Sequence, residues 1–156
     1  MLVLVQHGEA MAKEEDPERP LTTRGEADVE RLGHVLRAAG VEIDDLFDSG
    51  KLRARQTAEI LARQLAPERG AEEKPGLGAT DPVEPIAAEI EQVTRSLMLV
   101  GHQPFLGQLT AVLLQGNEAA PPAAFTPGSA VALQRAEGGW QMAWMLTPEL
   151  LAAGRT

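Results

Sequence analysis

At 156 residues the chain is long enough to bury a substantial core, and with no cysteine it has no access to disulfides, thiolate chemistry or a cysteine-held metal. A formal charge of −9 argues against a general nucleic-acid or membrane-surface role, while leaving room for one basic cleft. The first apolar run is too short for a signal peptide and lacks its basic flank, and no stretch reaches bilayer-spanning length. The expectation is a soluble cytoplasmic protein, folded as a single domain over 1–156.

In chain order, Leu2-Val3-Leu4-Val5 is a wholly apolar run of strand length, as a strand covered on both faces requires. It stops at Gln6-His7-Gly8. Then "PLTTRGEADVERLGHVLRAAG" carries Val29, Leu32, Leu36 and Ala39 at helical spacing, with Thr22 or Thr23 to cap it and Gly40 to end it. Leu46-Phe47 predicts a short strand ending at Asp48-Ser49-Gly50. A second helix follows, with Ala54, Ala58, Leu61 and Leu65 on one face.

The segment from Pro67 to Thr80 is rich in Gly, Pro and charge and reads as loop with at most a short edge strand. Asp81-Pro82-Val83-Glu84 predicts a helix start with Asp81 as cap, Pro82 first and Glu84 third, burying Val83, Ile86, Ala87 and Ile90. "LMLV" at 97–100 is another buried strand, leading through Gly101-His102 into a helix marked by Phe105, Leu106, Leu109, Val112 and Leu113. "SAVALQR" and "WQMAWML" read as a hairpin turning at Glu137-Gly138-Gly139, and Thr147-Pro148-Glu149 caps a short last helix. Strands alternating with helices predict an α/β fold, a three-layer αβα sandwich on a mostly parallel mixed sheet with an antiparallel edge.

Ligands of such sheets bind beyond the carboxyl ends of the strands. His7 and His102, two of the three histidines, fall at equivalent strand ends, and arginines follow the second strand. A neutral imidazole is a good nucleophile toward phosphorus, and arginine forks, a second imidazole and backbone N–H groups hold a phosphoryl group's oxygens. The pattern points to a phosphate site. His34, inside the first helix, reads as a surface residue. No ligand spacing suggests a metal, and no cofactor is called for.

"LVQHGEA", "RPLTTRG", "SGKLRARQTAEIL" and "LVGHQP", in that order, resemble the histidine phosphatase superfamily, the phosphoglycerate-mutase-like proteins, and most of all its small SixA-type phosphohistidine phosphatases. The resemblance implies that His7 is the nucleophile that becomes phosphorylated. It makes His102 the second histidine on the phosphoryl oxygens, Arg53 the pocket arginine and Arg19 a basic residue at the mouth. Gln6 and Gly8 would complete the phosphate-binding set, while Thr22 and Gly25 match a structural turn. Arg55 matches no catalytic position. The implied partner is a phosphohistidine-bearing protein or a small phosphorylated substrate, with no nucleic acid or membrane.

One position departs from the family. Arginine usually precedes the nucleophile, and here it is Gln6, which keeps a donor and loses the charge and the fork. A donor lost from the transition state costs on the order of 2.7–4 kcal/mol. The alternative reading is therefore a catalytically weakened phosphate-binding module. A third, a mutase, needs a good proton donor, and only Glu9 and Asp81 offer themselves, each equally readable as a loop residue or a cap. Phosphohistidine demands less, because an imidazole leaving group is protonated near neutral pH.

Overall fold

The computed structural model describes residues 1–154. Its elements are β1 (Leu2–Gln6), α1 (Thr23–Ala38), β2 (Asp45–Asp48), α2 (Leu52–Leu65), β3 (Ala71–Glu73), α3 (Glu84–Gln92), β4 (Leu97–Gly101), α4 (Phe105–Gln115), β5 (Ala130–Ala136), β6 (Gly139–Leu146) and α5 (Pro148–Ala153). The six strands form one sheet in the order β3-β2-β4-β1-β5-β6. The first four run parallel, and β5 and β6 are antiparallel to their neighbours.

The apolar runs are continuous because each central strand feeds two cores. Leu2 and Leu4 of β1, with Leu97 and Leu99 of β4 and Val131 and Leu133 of β5, pack under α3 and α4. Val3, Val5, Met98, Val100, Ala130 and Ala132 face the other way, under α1 and α2. At about 25 cal/mol per Å² of apolar surface removed from water, this two-sided burial is the main force holding the layers together. It produces the expected αβα sandwich and leaves the carboxyl ends of β1, β2 and β4 free to carry polar side chains.

Helix α1 begins where Thr22 accepts the Gly25 N–H. It ends on Gly40, at φ +74°, with Val41 N–H bonded to the Leu36 carbonyl and Gly40 N–H to the Arg37 carbonyl. Those two bonds satisfy the last carbonyls of the helix, and the left-handed backbone they need favours glycine. The short edge strand expected between Pro67 and Thr80 is β3. Two boundaries differ from expectation. The hairpin turn is only Glu137-Gly138, since Ala136 pairs with Gly139. Helix α3 starts at Glu84 behind Val83 rather than behind Asp81, with Pro85 in its first turn. The Asp81 carboxylate accepts the Gly78 N–H at 2.7 Å, so it closes the preceding turn and is spent before the helix begins.

Candidate active site

Parallel pairing of β1 with β4 puts Gln6 opposite Gly101, so the next residue of each strand emerges side by side. Those residues are His7 and His102, whose ring centroids lie 5.0 Å apart at 56°. Both are buried, at 8% and 4% exposure, and the His7 backbone N–H donates to the Gly101 carbonyl at 3.1 Å.

His7 has a defined tautomer. Its Nδ1 lies 2.8 Å from the Gly8 carbonyl, which can only accept, so the proton sits on Nδ1 and the Nε2 lone pair is free. His102 contacts Ser49, whose Oγ is 2.7 Å from Nε2. Burial lowers the His7 pKa to about 4, the Gly8 carbonyl opposing this and Arg53 and Arg19 adding to it. Burial likewise lowers His102 to about 4, with further contributions from His7, Arg53, Lys51 and Arg19. Both rings are therefore neutral at pH 7, the form in which an imidazole can attack.

Arg53 sits on the first turn of α2 and is held below the ordinary guanidinium value by burial and then by Arg19, while remaining cationic. Arg19, in left-handed backbone at φ +51°, ties its Nε to the Met11 carbonyl at 3.0 Å, and its charge reaches both histidines and Arg53. Among the described residues, none of Arg19, Lys51 and Arg53 takes part in an ion pair. In a chain of charge −9, three uncompensated cations around a histidine pair make the basic cleft that the overall charge permitted.

Gly8 is corrected as a phosphate donor. Its N–H is taken by Thr57 Oγ1 at 3.0 Å, and that hydroxyl donates onward to the Arg53 carbonyl at 2.7 Å. Gly8 serves instead by lacking a side chain: an added Cβ would lie 2.8 Å from Val29 Cγ2 and 3.0 Å from the Gly25 carbonyl. Gly25 in turn lets α1 approach the Glu9 backbone, where a Cβ would overlap the Glu9 carbonyl. Gln6 ends β1 with its Oε1 buried and unpartnered.

The proton-donor candidates are both engaged elsewhere, Glu9 accepting from the Thr22 hydroxyl at 2.8 Å and Asp81 from Gly78. His34 is exposed beside Gln64, and Arg55 is exposed on α2. Among the described residues no group of His, Asp and Glu is arranged to hold a metal ion, and no helix is long and apolar enough to cross a membrane. Sequence reasoning puts the segment from Ser49 to Arg55 at the ligand end of the sheet but gives Ser49 and Lys51 no role of their own, and it misses Thr57, whose signal was its place four residues after Arg53 on the same helical face.

Residues 2–81 match the family model of the histidine phosphatase superfamily (branch 1), and the chain belongs to that superfamily. It is 29% identical over 150 residues to the phosphohistidine phosphatase SixA of Escherichia coli K12, covering 93% of this chain and 92% of that one. It is 37% identical over 112 residues to an uncharacterised protein of Picosynechococcus, covering 66% of this chain and 64% of that relative's length. Among solved structures it superposes with a TM-score of 0.85 and 29% identity on the protein histidine phosphatase SixA complexed with tungstate, over 96% of this chain and 98% of that one.

Proposed function

We propose that the chain is a phosphohistidine phosphatase working through a covalent phosphohistidine on His7. The observation that carries the reading is the His7 ring itself: Nδ1–H is tied to the Gly8 carbonyl, Nε2 is free, His102 lies beside it, and the unpaired Arg53 and Arg19 act on it. In this scheme the Nε2 lone pair forms the bond to phosphorus as the bond to the leaving imidazole nitrogen breaks. The leaving ring takes a proton from water, and a second water then cleaves the phosphorus–His7 bond to release phosphate. Arg53, Arg19 and His102 hold the phosphoryl oxygens and offset their growing charge. With Glu9 and Asp81 engaged, an imidazole leaving group suits the site better than an alkoxide, which needs a positioned acid. The tungstate in the SixA structure, a tetrahedral oxyanion in a relative of the same fold, supports a phosphoryl-sized pocket.

A phosphorylated protein is the favoured partner, and a small phosphorylated compound the other. Gln6 keeps a second reading alive, a module that binds phosphate without turning it over. Turnover of a phosphohistidine peptide by the wild type and by His7→Ala separates the two. The proposal expects release of phosphate by the wild type and its loss in the variant with the fold retained. Undiminished release by His7→Ala, or none by the wild type, contradicts it.

A further inference from the structure

Asp48 is a buried carboxylate that the proposed reaction does not use. It ends β2 at 2% exposure and, among the described residues, belongs to no ion pair. Burying a carboxylate without a counter-ion is costly, so its presence here calls for a reason. Its side chain shares the face of Leu46, under α2. Burial above all raises its pKa and the Gly50 N–H opposes that; of the charges facing it, Glu73 of β3 and Glu59 of α2 raise it and Arg55 of α2 lowers it. Glu73 is its register partner, so no cation takes the place beside it on β3.

What the carboxylate holds is a turn. Asp48 Oδ1 accepts the Gly50 N–H at 2.8 Å and closes Asp48-Ser49-Gly50 on itself. Gly50 sits at φ +88°, in backbone that favours glycine and that glycine does nothing to stiffen. Ser49 is the residue enclosed, and its Oγ lies 2.7 Å from His102 Nε2. The start of the turn is fixed by the sheet: Asp48 pairs with Val100, two residues before His102, and its carbonyl accepts the Lys74 N–H at 2.9 Å. Resting on the phosphatase reading, we propose that Asp48 is a positioning residue for the reaction, its carboxylate holding Gly50 and thereby keeping the Ser49 hydroxyl on the His102 ring. Any acceptor oxygen in that place would serve, and an apolar side chain of the same shape would not.

The test compares Asp48→Val, which keeps the branching and removes the acceptor, with Asp48→Asn, which keeps an acceptor oxygen. Ser49→Ala and the double variant Asp48→Val/Ser49→Ala complete the set, and Asp48→Ala takes the place of the valine protein if that one does not fold. The first readout, the nitrogen NMR signals of the histidine rings, needs no turnover. We expect the His102 signals of Asp48→Val to move from their wild-type positions toward those of Ser49→Ala, those of Asp48→Asn to stay at wild type, and those of His34 to move in none. The second readout is turnover of a phosphohistidine peptide. Asp48→Val should lower kcat about threefold to tenfold, the scale of one hydrogen bond, with little change in KM, and should cost nothing more when added to Ser49→Ala. Asp48→Asn should recover most of the rate. Wild-type His102 signals in Asp48→Val, a loss that multiplies in full with that of Ser49→Ala, or an asparagine protein that behaves as the valine one each overturn the inference while the phosphatase reading stands. A wild type that releases no phosphate overturns that reading, and the ring signals still decide whether Asp48 holds Ser49 on His102.

Discussion

Replacing His102 by glutamine should make the protein more resistant to acid than the wild type, by an amount the structure sets. His102 is neutral when folded, with a pKa of about 4, against 6.5 for a free imidazole. The sign follows from the lowered folded value. Between pH 6.5 and about 4 the unfolded chain binds a proton that the folded chain does not, so stability falls as the pH falls through that window and levels off below it. At about 1.36 kcal/mol per pKa unit, the wild type loses about 3 kcal/mol between pH 7 and pH 4 through this one ring. His102→Gln loses none of that, and the carboxylates common to both proteins cancel in the difference. Urea unfolding of both proteins at pH 7, 6, 5 and 4 reads it directly, as the gap between the two extrapolated stabilities. The gap should move by about 3 kcal/mol against the wild type as the pH drops. A gap that stays constant from pH 7 to 4 would refute the claim that burial keeps this histidine neutral.

Three further outcomes are expected. Arg19→Ala should weaken vanadate binding about tenfold or more, the worth of one charge-assisted hydrogen bond, because no arginine at position 6 backs it up; unchanged affinity would make Arg19 a bystander. Thr57→Val should cost about 1–3 kcal/mol in chemical denaturation, because it leaves the buried Gly8 N–H without an acceptor, and Thr57→Ser should restore most of it. Ser49→Ala should lower kcat with little change in KM and alter the pH profile, since the hydroxyl's short contact is to the His102 ring, with Ser49→Thr recovering activity.

The layered fold was legible wherever one residue pattern answered to one physical demand. The run Leu2 to Val5 has no polar face because it has no exposed face, and Gly40 ends its helix because the backbone there turns left-handed. The start of α3 misled because Asp81-Pro82 has the chemistry of a cap, and the same carboxylate was closer to the Gly78 amide. The pairing of His7 with His102 was legible from two strand ends, since parallel register carries equivalent positions to the same place. What surrounds them was not. Gly8 looked like a phosphate donor until Thr57, from a helix 49 residues on, took its amide. Ser49 and Lys51 stood in a recognisable motif just past β2, but their reach toward His102 depends on β2 pairing in parallel with β4, Asp48 opposite Val100, a long-range register that no local pattern encodes.

The most direct test of the central claim is to trap the enzyme in mid-reaction. The wild type mixed with a radiolabelled phosphohistidine protein and quenched within the first turnovers should carry phosphate that is acid-labile and base-stable. Peptide mapping should place the label on His7, and it should be lost at the rate of steady-state phosphate release. Phosphate release with no label on His7, or the same label on the His7→Ala protein, would contradict the account.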